Sequence, residues 1–87
     1  MQVFLTKHAL DKLDVLERHA FAVTKMMVEE AVGAPDVVDD SHAPLMIAEK
    51  MVSPTHALRV AYKVENEVKM IITLYPIRKN NERNSGN

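Results

Sequence analysis

"LRVAYKVENEVKMIITLYP", Leu58 to Pro76, is the stretch that decides the fold. Its apolar residues recur every second position: Leu58, Val60, Tyr62 and Val64 alternate with Arg59, Ala61 and Lys63, and Val68, Met70, Ile72 and Leu74 alternate with Lys69, Ile71, Thr73 and Tyr75. Period two is the signature of a strand with one buried face. The pattern predicts two strands joined by a hairpin turn at Glu65-Asn66-Glu67, with the register set by bringing the two apolar rows onto one face. Pairing Val64 with Val68 does this, so Tyr62 meets Met70, Val60 meets Ile72 and Leu58 meets Leu74. On the other face Arg59 then lies opposite Thr73, Ala57 opposite Tyr75 and Lys63 opposite Lys69, which makes that face polar and basic.

Working upstream, Leu45 to Val52 predicts a third strand, turned back by Ser53-Pro54-Thr55. Two registers compete. Pairing Val52 with His56 sets Glu49 against Arg59 and points Lys50 toward the core; a slip of one exchanges the roles of Glu49 and Lys50. The first is preferred, because opposite charges attract across strands and a lysine stem can snorkel where a buried unpaired glutamate cannot. The first half of the chain has a helical period instead. Thr6 is an N-cap for a helix whose stripe is Ala9, Leu13, Leu16 and Ala20, widened by Leu10. Thr24 caps a second helix, with Val23 and Val28 at the staple positions, Met27, Val28, Ala31 and Val32 as its buried stripe, Gly33 as its stop and Pro35 beyond. A short connection makes these a helical hairpin. With Val3 to Leu5 as an N-terminal strand, the expected fold is α+β: strand, helical hairpin, then an antiparallel three-stranded meander, with the helices on the apolar sheet face.

Composition bounds the rest. Eighty-seven residues make one small domain, assigned to residues 1–78, and a domain of this size buries only about 60 to 65% of its unfolded surface. A 47% hydrophobic and 26% charged composition is that of an ordinary globular chain. Residues 79–87, KNNERNSGN, contain no apolar side chain and read as a polar, disordered end or a basic arm. There is no cysteine, so disulfides and thiolate metal sites are excluded. The longest apolar run, Met70 to Ile77, is broken by Thr73 and Pro76 and is too short to span a bilayer. MQVFLTKH lacks the charged leader and apolar core of a signal peptide, so a cytoplasmic protein is expected. The net charge of −1 means that nucleic-acid binding would need a local basic patch.

Several chemistries find no support. His8 and His19 share a helical face but lie about 16 Å apart along it, too far to bind one ion, and no metal or other cofactor is expected. Neither Gly33 nor Gly86 belongs to a phosphate-binding loop. What remains is the strand face carrying Arg59, Thr73 and Tyr75, with Arg78 and Lys79 just downstream. Cleavage of a phosphodiester by its own 2′-hydroxyl needs a base, positive charge for the non-bridging oxygens and an acid for the leaving oxygen. Arg59 and Arg78 suit phosphate; Glu49, His8 or His56 suit the base; Tyr75, Lys12 or Lys50 suit the donor of proton or charge. The same polar residues are also what the solvent face of a half-covered sheet carries with no function at all.

The segments "TKHALDKL" (Thr6 to Leu13), "APDVVDD" (Ala34 to Asp40), "IAEKM" (Ile47 to Met51), "LRVAYKVE" (Leu58 to Glu65) and "IITLYP" (Ile71 to Pro76) resemble the RelE/ParE-like toxin superfamily, in particular a small branch related to BrnT-type toxins. His8-Ala9 matches the branch's helical start and Arg59 its strand arginine, while Lys12 stands where arginine is common and keeps charge without the bidentate fork. The resemblance implies a toxin of a toxin-antitoxin pair that cuts messenger RNA or inhibits translation without metal, partnered by an antitoxin protein and by RNA or the ribosome. Together with the residue chemistry, it nominates His8, Glu49, Arg59 and Tyr75 as catalytic and Lys12, Lys50, Arg78 and Lys79 as phosphate-binding. A non-catalytic interaction module of the same fold is the alternative, and Asp36, Asp39 and Asp40 near the sheet would repel phosphate.

Overall fold

The structure, a computed structural model, describes residues 1–79. The elements in chain order are β1 (Gln2–Leu5), α1 (Lys7–Arg18), α2 (Lys25–Gly33), β2 (Val37–His42), β3 (Leu45–Met51), β4 (His56–Glu65) and β5 (Val68–Arg78). The strands form one sheet in the order β1-β5-β4-β3-β2. β1 runs parallel to β5 and every other pair is antiparallel. The α+β class and the N-terminal strand in the common sheet are as expected, but the meander has four strands rather than three. The additional strand is Val37–His42, where Val37 and Val38 pair with Glu49 and Ala48. Asp39, Asp40 and Ser41 disfavour a strand by local propensity; the ladder offered by β3 overrides it.

Both predicted caps are present. The Thr6 hydroxyl accepts from the Ala9 amide at 3.3 Å and donates to the Ile71 carbonyl at 2.7 Å, tying the start of α1 to β5. Thr24 accepts from the Met27 amide at 3.1 Å, and Val23 and Val28 are both buried, as a staple requires. Both helices lie on the apolar sheet face as expected, α1 against β5, and α2 against β4 and β3. α1 ends at Arg18, so Ala20 falls outside it in a left-handed conformation, and Leu10, expected to widen the stripe, is 51% exposed. Ala9, Val28, Ala31 and Val32 from the helices meet Leu5, Ala48, Leu58, Val60, Tyr62, Ile71 and Leu74 from the sheet in one core, with Leu13, Leu16 and Met27 at its edge.

The hairpin between β4 and β5 departs from simple alternation. Its turn is two residues, Asn66 and Glu67, both at positive φ (53° and 64°), which matches the twist of the flanking strands; Glu65 therefore pairs with Val68. From there the ladder runs Val64 to Lys69, Lys63 to Met70 and Tyr62 to Ile71; it then resumes with Ala61 opposite Thr73, leaving Ile72 as the extra residue of a bulge. Three expectations change. Ile71, not Met70 or Ile72, is the core residue, fully buried beside Tyr62. Lys69 turns to the helix side, where Nζ donates to the Val32 carbonyl at the end of α2 (2.6 Å) and sits 5.3 Å from the Tyr62 ring centre. Arg59 lies opposite Tyr75 instead of Thr73, and Ala57 opposite Ile77. The bulge converts the turn-proximal register into the one that sets Leu58, Val60 and Leu74 under the helices, so the core is satisfied on both sides of it.

Candidate functional site

Among the described residues the sheet's second face carries no helix, and its residues follow from the registers just given. Glu49 pairs with Arg59 in the β3–β4 ladder, as preferred from sequence, and Arg59 pairs with Tyr75 in the β4–β5 ladder. Carboxylate, guanidinium and phenol thus stand side by side on three adjacent strands, at cross-strand spacings of about 4.5 to 5.5 Å between Cβ atoms. Lys79 closes the row. Its backbone N–H donates to the Thr55 carbonyl (2.8 Å), and its Nζ reaches Glu49 Oε2 at 2.6 Å. Lys79, assigned by sequence to the polar tail, is therefore anchored; the rest of that tail lies outside the described residues.

The Glu49 side chain is only 14% exposed and is held from both sides, by Lys79 at Oε2 and by Arg59 Nε, 3.3 Å from Oε1. The Arg59 contact is an ion pair without an aligned hydrogen bond, and its buried Nε has no hydrogen-bond partner among the described residues. A guanidinium offering a planar fork beside an ammonium is a fitting receptor for a phosphate or carboxylate group. Asp39, one row nearer the β4–β5 turn, faces Ile47 on β3. Its carboxyl is held below the usual aspartate value, first by the Ser41 amide (2.9 Å) and then by the Ser41 side chain, with smaller help from the charges of His42 and Arg59. It stays anionic and weakens the positive field at the edge of the row.

The other nominated residues do not join this group. His8 and Lys12 belong to α1, on the far side of the sheet. Lys50 points to the helix side and its Nζ donates to the Ala34 carbonyl (3.0 Å), the snorkelling arrangement expected from its register. Arg78 pairs with His56, and the His56 ring meets Phe21 edge-on at 5.4 Å, again on the helix side. The helical face of α1 and the alternation of β5 separate these side chains from Arg59, so Glu49 is the base candidate that shares the open face with it. What sequence reading missed was Tyr75 standing directly beside Arg59, because the bulge that aligns them leaves no strong local signal. Among the described residues, no helix is long and apolar enough to cross a membrane. No family model, curated protein or solved structure matches the chain.

Proposed function

We propose that this domain is a RelE/ParE-like toxin that cleaves single-stranded RNA at the Glu49–Arg59–Tyr75–Lys79 row, acting on messenger RNA in the cytoplasm and held in check by a partner antitoxin protein. The reading rests on one observation: base, cation and phenol candidates adjoin on three neighbouring strands, on a face that no described helix covers. In the proposed reaction, an entering phosphodiester competes with Glu49 for Arg59 and Lys79, neutralising its non-bridging oxygens and releasing the carboxylate. Glu49 takes the proton of the 2′-hydroxyl, whose oxygen attacks phosphorus. The P–O5′ bond breaks as Tyr75 protonates the leaving oxygen, giving a 2′,3′-cyclic phosphate and a 5′-hydroxyl end. No metal takes part in this scheme.

Arg59→Ala tests it. The purified wild-type chain should cut single-stranded RNA, alone or on translating ribosomes, leaving 5′-hydroxyl ends, and Arg59→Ala should remove both the cleavage and the growth arrest caused by expression. If wild type cuts no RNA in either setting and its expression is harmless, the reading is wrong. The pairing of both Glu49 oxygens with cations favours a second reading, a non-catalytic module that uses the same face for a protein partner; that reading predicts partner binding that depends on Arg59 without any RNA product.

A further inference from the structure

The open face has a second feature that the catalytic row does not use. Phe4 projects from β1 beside Met70 and is 54% exposed, although Leu5 next to it is buried in the core. It borders a cleft of about 420 Å³ at the β1–β5 edge, lined by Val3 and Phe4 of β1 together with Gln2, Glu65, Asn66, Val68 and Met70. The registers put Gln2, Val68 and Glu65 in one cross-strand row and Phe4, Met70 and Lys63 in the next, on the same side of the sheet as Arg59 and Tyr75. The cleft therefore brings apolar side chains, Phe4, Val68 and Met70, together with two amides and a carboxylate.

We infer that this cleft is a subsite for an unpaired nucleobase of single-stranded RNA, a few nucleotides from the phosphate bound at Arg59. The inference rests on the proposed phosphodiester site and names the part of the substrate that site leaves unbound. An exposed aromatic ring on a rigid strand is the surface on which an unstacked base lies, and amide and carboxylate groups around it supply donors and acceptors for the base edge. Its size falls within the usual range of small-ligand clefts, about 300 to 1,000 Å³. Its position fits a strand of RNA. From Arg59 to Lys63 is four residues along β4, about 13 Å, and β1 lies two strand spacings beyond β4, so the cleft is on the order of 15 Å from the row. A stacked strand advances about 3.4 Å per nucleotide and an unstacked one further, so two to four nucleotides bridge the gap. The ground between is made of Ala61 and Thr73, small enough for a backbone to cross. Lys63, held 3.1 Å from Glu65, stands at the cleft's edge, where the bound nucleotide's own phosphate would lie.

The experiment measures binding by the full chain of a fluorescein-labelled, uncleavable 2′-O-methyl hexanucleotide, by anisotropy at low salt. Phe4→Ala should weaken binding about 5- to 100-fold, the range for losing one stacked base, and Phe4→Trp should restore it. Since Phe4 is exposed, both variants should keep the wild-type circular dichroism and melting midpoint. The same sequence as a duplex should bind with no dependence on residue 4. If Phe4→Ala binds within twofold of wild type while Arg59→Ala loses binding, the base subsite is overturned and the phosphate site stands. If wild type does not bind the hexanucleotide, this inference is overturned, while the proposed function is decided separately by the cleavage and growth assays.

Discussion

Ile71→Ala against Ile72→Ala decides whether the β5 bulge, and with it the apposition of Arg59 and Tyr75, is real. Uninterrupted alternation would make Ile72 the core residue and Ile71 the exposed one; the structure reverses them, with Ile71 fully buried against Tyr62 and Leu5 and Ile72 only partly covered. Truncating Ile71 removes three buried carbons at about 0.8 kcal/mol each and adds the cost of the cavity, for a total of about 2 to 5 kcal/mol. Ile72→Ala should cost less, about 1 kcal/mol, since Ile72 is only partly buried and is not part of the helix-packed core. In a domain of this size each kcal/mol moves the melting midpoint by about 4 to 8 °C, so the two variants should differ by roughly 10 °C or more. Urea and thermal unfolding followed by far-ultraviolet circular dichroism measure both. If Ile72→Ala is equally or more damaging, the ladder has no bulge, Tyr75 does not stand beside Arg59, and the proposed catalytic row dissolves.

Three other outcomes follow from single contacts. Thr6→Ala removes the α1 cap and the hydrogen bond to Ile71 together and should destabilise by about 1 to 2 kcal/mol in urea unfolding, with Thr6→Ser recovering most of it. Asp39 has a lowered folded-state pKa, so its contribution is complete above the unfolded aspartate value and disappears as pH falls through the folded value. The gap in urea midpoint between wild type and Asp39→Asn should therefore stay constant at pH values above the ordinary aspartate pKa of about 4 and close only as pH falls below it; a gap that is unchanged or wider on acidification well below that value contradicts the Ser41 and Arg59 interactions. Glu49→Gln should reduce RNA cleavage by about 10²- to 10⁴-fold if Glu49 is the base, read from the rate of cyclic-phosphate formation, whereas a variant that cuts at the wild-type rate excludes Glu49 from that role.

Much of this architecture is legible without coordinates because it depends on local chemistry. Thr6 and Thr24 announce helix starts through hydroxyls that satisfy nearby amides, and the period-two pattern of Leu58 to Leu74 identifies two strands. The Glu49–Arg59 pairing could be chosen from sequence because the competing register would have buried an unpaired carboxylate. Of the nominated site residues, Glu49, Arg59, Tyr75 and Lys79 come together on the open face, while His8, Lys12, Lys50 and Arg78 lie toward the helices.

What sequence could not decide are properties that arise between elements. Val37–His42 becomes a strand only because β3 offers it a ladder, against the preferences of Asp39 and Asp40. The bulge at Ile72 is set by two demands at once: a two-residue turn at Asn66-Glu67 fixes one end of the hairpin, and burial of Leu58, Val60 and Leu74 fixes the other, and the two registers differ by one residue. That single residue sends Lys69 to the end of α2, places Ile71 in the core and aligns Tyr75 with Arg59. Periodicity and capping, which act within a few residues, were determined by the sequence alone. The composition of the open face was decided by tertiary structure, because which side of a strand a residue occupies depends on the sum of constraints along its whole length.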